Sequence, residues 1–196
     1  MLYNGSMVTY ILIALLAMVF VLDYFVFMPK GAKRQLFTLT FAKTENPLNQ
    51  ALCMKRSVVR KGQLWRLVTS QLLHGGLFHI AANSLAFLAA GRLVEAQLGW
   101  WRYVILLLAS GVFANLANLR ILQSEFSFGA SLATHGVIGM LAAMLLVNPG
   151  LLGEIAWPWR IYLAGYLLYN VVADKYNLVE HGAGFVCGVG LAFLLI

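Results

Sequence analysis

Phe128-Gly129-Ala130-Ser131-Leu132-Ala133-Thr134-His135-Gly136-Val137-Ile138-Gly139 sets a serine two residues after a glycine, at the mouth of a long apolar run. Glycine suits a tight turn, and the run continues to Asn148-Pro149-Gly150, a strong helix stop. The segment therefore reads as a helix of membrane-spanning character with a hydroxyl at its start. Serines in membrane helices most often bond back to a carbonyl of their own helix. Whether this one does chemistry depends on what the rest of the chain brings to the same depth.

The whole chain is 61% hydrophobic and 11% charged. A soluble domain of 196 residues cannot hide so much apolar surface, so the chain reads as a multispan membrane protein. The apolar runs are continuous rather than alternating, which selects helices over a barrel. The formal charge of +7 reads as contact with lipid head groups, not with nucleic acid. Cys53 and Cys187 show no metal or redox spacing, and no HExxH, Walker or dinucleotide motif occurs.

Six spans are expected: Met7–Met28, Phe78–Gln97, Trp101–Leu119, Ser131–Val147, Trp159–Val172 and His181–Ile196, in a single domain over 1–196. The first is ended by Pro29-Lys30-Gly31; its flank lacks Lys, Arg and a cleavage site, so it is not read as a signal peptide. Asp23 within it reads as a carboxylate at the interface or in a buried hydrogen bond, with a proton relay as the rarer case. Residues 29–77 form a long interfacial connection, and nine of the fourteen basic residues fall between Lys30 and Arg66. Phe37-Thr38-Leu39-Thr40-Phe41 is apolar enough to lie in the interface, and Trp65-Arg66 suits an anchor, its guanidinium on phosphate or backbone carbonyls. Asp174-Lys175-Tyr176-Asn177 turns the chain into the last span.

Alternate spans start on the same membrane face, and there the polar residues collect. His79 and Asn83 enter the second span, Ser131 and His135 the fourth, His181 the sixth. Ser131, His135 and Gly139 make one helical stripe; His181, Gly184 and Gly188 make another. Small residues let two backbones approach closely, and packing these stripes together brings serine and histidine side by side. An imidazole that takes the hydroxyl proton makes serine a nucleophile and can then protonate a leaving amine. No acid stands at a spacing that orients His181, so a Ser-His dyad is expected rather than a triad. Asn83, His79 and the Ser131 backbone N–H are the available oxyanion donors. His74 reads as a loop residue.

These residues together resemble the rhomboid intramembrane serine proteases over about residues 60–196. The features that carry the resemblance are Trp65-Arg66, His74 and His79 with Asn83 entering the second span, Gly129-x-Ser131, and His181 with Gly184 and Gly188. The resemblance implies a six-helix bundle with no metal or cofactor. It also implies Ser131 as nucleophile, His181 as base, and His79 and Asn83 as oxyanion donors. The implied substrates are transmembrane proteins cut in or near the bilayer, from a cavity open to the non-cytoplasmic side of the cell membrane, with the N-terminus inside. The basic connection argues for the opposite orientation by the positive-inside rule.

Three residues depart from the family pattern. Leu132 follows the serine where Gly is usual, His135 stands where a Tyr commonly packs on the catalytic histidine, and Glu180 replaces a small residue before His181. The competing readings are an inactive relative that grips transmembrane helices as a chaperone or dislocation factor, a proton-coupled carrier, and a histidine metal site. The carrier lacks an inverted repeat, and the metal site lacks carboxylate partners beside His74 and His79.

Overall fold

A computed structural model describes residues 5–28, 46–122, 124–172 and 177–196. Four helices are long and apolar enough to cross a bilayer: α1 (Met7–Val26), α5 (Leu77–Leu98), α6 (Trp100–Leu122) and α9 (Leu178–Leu195). Short helices α2 (Pro47–Leu52), α3 (Arg56–Val59) and α4 (Arg66–Thr69) separate α1 from α5. The shorter apolar helix α7 (Ser131–Val147) and the helix α8 (Trp157–Val172) pack with them. Large apolar side chains face outward, Phe193 at 88% and Val186 at 64% exposure among them. Such a surface is stable only against hydrocarbon. This is an integral, multispan membrane protein.

The apolar runs set the helices, and the expected spans differ from them mainly at the ends. The last helix starts at Leu178, three residues before the expected His181, so the histidine stands within the first turn. The helix takes in Leu178, Val179 and Glu180 ahead of it, the acid tolerated there because its carboxylate is hydrogen-bonded to Asn118 and Ser127. The expected long connection is partly structured. From Asn46 onward it carries α2, α3, α4 and strand β1 (Met54–Lys55). Met54, Val59 and Leu67 form a small core with Leu119 of α6. Strand β1 pairs antiparallel with β2 (Phe126–Ser127), Met54 opposite Ser127. The expectations for Pro29-Lys30-Gly31, for Phe37–Phe41, for Lys30, Lys33, Arg34 and Lys43, and for Asp174, Lys175 and Tyr176 lie outside the described residues.

Helix α7 is central. Every residue from Ser131 to Leu141 is buried, the polar Ser131, Thr134 and His135 included, because the helix meets other elements on all sides. Its most extensive neighbour is α9, followed by α6. Glycine makes the α7–α9 approach possible. A Cβ on Gly184 would sit 2.5 Å from the Leu132 carbonyl oxygen, and one on Gly188 would collide with that of Gly136. The two expected stripes do face each other, but offset by a turn, for Gly139 packs on the Phe185 backbone rather than beside Gly188.

Polar ties fix the ends of the bundle. The buried Glu95 carboxylate accepts from Val8 N–H, Thr9 N–H and Thr9 Oγ1, each at 2.8 Å, and so caps the start of α1. Asp23 is buried and accepts from Asn46 Nδ2 at 2.7 Å and Asn49 Nδ2 at 3.1 Å, the hydrogen-bonded alternative of its two readings. Arg66 is buried too; its Nη1 donates to the Cys53 carbonyl and its Nε to Gln63 Oε1, both at 2.7 Å. The guanidinium therefore braces the connection between α2 and α4, while the neighbouring Trp65 is exposed.

Candidate active site

Gly129 turns the chain into α7 at φ +124°, a conformation that side chains with a Cβ rarely adopt. It also keeps a gap open: a Cβ here would lie 3.0 Å from His79 Nε2 and 3.6 Å from Ser131 Oγ. The N–H of Gly129 donates to the Ser70 carbonyl at 3.1 Å, and that of Ala130 to His74 Nε2 at 3.5 Å. Held this way, Ser131 begins the helix with its hydroxyl toward α9. There His181 Nε2 lies 3.0 Å from Ser131 Oγ, a distance at which the hydroxyl donates to the imidazole. His181 Nδ1 is buried with no hydrogen-bond partner among the described residues. Among the described residues no carboxylate bonds Nδ1.

The ring is positioned by stacking. His135 lies parallel to His181, with centroids 4.2 Å apart and planes within 7°. His135 Nδ1 donates to the Ser131 carbonyl at 2.7 Å, which fixes its tautomer and places the ring one turn below the serine. Its other side tilts toward Tyr166 of α8. Tyr166 OH in turn donates to Asn83 Oδ1 at 2.9 Å. Asn83 is 1% exposed, and its Nδ2 has no partner among the described residues. An amide turned by its oxygen so that its N–H2 group is left unused is a donor available to something not yet there. Tyr166 was not singled out from the sequence; its helical spacing with Tyr162 marks a shared face of α8 but does not name the partner that face meets on α5.

His79 contributes a second donor. Its Nδ1 accepts from the Gly75 N–H at 3.4 Å, so the neutral ring carries its proton on Nε2, the atom beside Gly129. His74 is buried, with its ring edge-on to His79 at 5.0 Å. Burial, and to a smaller degree the His79 imidazole, holds His74 well below the ordinary histidine pKa. It is therefore neutral and able to accept from Ala130, a positioning duty that its reading as a loop residue did not include.

Ser131 and His181 border a cavity of about 250 Å³, shared with Phe126, Ser127, Phe128, Asn177 and Glu180. The chain thus brings a hydroxyl, an imidazole and two unlike donors to the N-terminal ends of three helices, beside space for a ligand. A profile of the Rhomboid domain matches residues 61–196 of this sequence. The chain belongs to the rhomboid family. It is 30% identical over 151 residues to RHOMBOID-like protein 7 of Arabidopsis thaliana, covering 71% of this chain and 45% of that one. It is 29% identical over 140 residues to the Putative rhomboid protease YdcA of Bacillus subtilis (strain 168), covering 70% of each. To Rhomboid protease GluP of the same bacterium it is 35% identical over 94 residues, 48% of this chain and 18% of that one. The chain spans less than half the length of the plant relatives it matches.

The departures from the family pattern now have places. Leu132 is buried, with its carbonyl against Gly184. His135 takes the stacking position on His181. Glu180 is buried beside the cavity, bonded to Asn118 Nδ2 and Ser127 Oγ. None of these contacts is legible in sequence, because each partner lies on a different helix or on a two-residue strand.

Proposed function

We propose that this rhomboid-family chain is an intramembrane serine endopeptidase that cuts transmembrane or juxtamembrane segments of membrane proteins. The observation that carries the proposal is the 3.0 Å approach of Ser131 Oγ to His181 Nε2 at the wall of the cavity. In this reading the hydroxyl proton passes to Nε2 as Oγ attacks the scissile carbonyl. The oxyanion is met by Asn83 Nδ2, the His79 Nε2–H and the Ser131 backbone N–H. The imidazolium then gives its proton to the leaving amine, and water repeats the sequence to release the acyl group. His181 works as one half of a dyad, with the His135 ring in place of an orienting acid.

Six helices cross the bilayer in this reading, α7 and α8 joining the four long ones, and residues 29–77 lie at the interface. The N-terminus is cytoplasmic, and the cavity opens on the other side of the cell membrane. The test is purified protein in proteoliposomes with a tagged single-span substrate panel and a fluorophosphonate probe. Labelling at Ser131 that Ser131→Ala and His181→Ala both abolish, with cleavage lost in parallel, is expected. Cleavage surviving Ser131→Ala would refute the mechanism. Absence of labelling in the native chain would favour a helix-binding member without catalysis.

A further inference from the structure

Glu180 is a carboxylate buried to 3% exposure in the first turn of a membrane helix, where an acid is costly unless fully bonded. Asn118 Nδ2, near the end of α6, donates to Oε1. Ser127 Oγ, in β2, donates to Oε2 at 2.9 Å. Hydrogen bonds to a charged acceptor are shorter and stronger than neutral ones. The covalent neighbours matter as much as the bonds. Glu180 precedes His181 on α9, and Ser127 lies four residues before Ser131 in the segment that turns through Gly129 into α7.

Further restraints on that segment act from elsewhere. β2 pairs with β1, Gly129 donates to Ser70, and Ala130 donates to His74. None of these three reaches α9. The carboxylate does, and through Asn118 it also grips α6, which packs on both α7 and α9. We propose that Glu180 is a positioning residue that sets the separation of Ser131 from His181 by tying Ser127 and Asn118 to the start of the histidine's helix. The role rests on Ser131 being the nucleophile, and Glu180 itself touches neither reacting atom.

The test uses the full chain in proteoliposomes, comparing native protein with Glu180→Ala, Glu180→Gln, Ser127→Ala and the Ser127→Ala/Glu180→Ala double variant. The readouts are the rate of Ser131 phosphonylation, the melting midpoint, and hydrogen–deuterium exchange of amides 126–131. Misplacement of a nucleophile by an ångström can cost about 100-fold, so Glu180→Ala is expected to slow labelling roughly 10- to 100-fold. Ser127→Ala should slow it too, and the double variant no further than Glu180→Ala alone, because losing the carboxylate already removes the tie to Ser127. Glu180→Gln can still accept from Asn118 and can donate to Ser127 Oγ, and should recover most of the rate. Exchange at 126–131 should quicken in Glu180→Ala. A lowered melting midpoint with native labelling rate and native exchange would overturn the proposal. Should Glu180→Ala fail to fold, labelling of Ser127→Ala at the native rate would overturn it equally. A native chain that does not label, but whose 126–131 amides loosen in Glu180→Ala, would refute the protease reading and leave the tie standing.

Discussion

Gly184→Ala tests whether helix approach sets the Ser131–His181 distance. Gly184 lies one turn after His181, and the carbonyl it faces belongs to Leu132, the residue after Ser131. An added Cβ would stand 2.5 Å from that oxygen, whereas ordinary contacts begin near 3.4 Å. The contacting atom is a backbone oxygen in the first turn of a buried helix, held by the helix and unable to swing aside, so α9 must retreat from α7 by roughly 1 Å to restore van der Waals contact. Carried to the site one turn away, that retreat lengthens the 3.0 Å Oγ–Nε2 approach beyond hydrogen-bonding range. The expected loss in phosphonylation rate and in kcat is about 100-fold. Overpacking should lower stability by only about 1–3 kcal/mol, leaving the variant folded. Gly182→Ala is the control, since it lies on the same helix beside His181 and its Cβ would meet nothing within 4 Å. Native labelling by Gly184→Ala, or equal damage from Gly182→Ala, would refute the reasoning.

Removing the unused amide with Asn83→Ala should lower kcat by about 100- to 1000-fold with little change in KM, the signature of an interaction made only in the transition state; a rise in KM alone would contradict this. Glu95→Ala strips the acceptor from two N–H groups and a hydroxyl at the start of α1, and should lower stability by on the order of 3 kcal/mol, read as the unfolding midpoint in detergent. Glu95→Gln, which keeps one acceptor oxygen, should lose less. His74 gives a pH dependence of definite sign. Its folded pKa is depressed below the unfolded value, so its contribution to stability is complete above about pH 6.5 and is lost as pH falls below that value. Protonation also removes the acceptor for the Ala130 N–H. The midpoint of the native protein should therefore fall from pH 7 to pH 5, and His74→Gln should show a shallower fall; identical slopes would exclude His74 as a contributor.

Membrane embedding, the positions of the long helices and the cluster of chemically able residues on one face were all legible from sequence. Run length against bilayer thickness and the alternation of crossing direction are local or one-dimensional facts. The glycine stripes also showed that α7 and α9 approach closely. Their register was not legible: Gly188 meets Gly136, and Gly139 meets Phe185, because the period within each helix says nothing of how far one slides along the other. The small folded unit after Asn46 was also hidden, since helices of four to six residues and a two-residue strand carry too few side chains to show a period.

Sequence by itself determined which residues can do chemistry and at what depth they stand. Only the tertiary structure decided which atoms they turn to one another. Asn83 presents an unused N–H2 group because Tyr166 of α8 occupies its oxygen. His181 lies against a stacked ring because His135 is anchored to the Ser131 carbonyl. Glu180 is buried because Asn118 and Ser127 reach it from two other elements. Each of these contacts between elements joins residues more than forty positions apart, and no local pattern encodes a contact that exists only once the helices have packed.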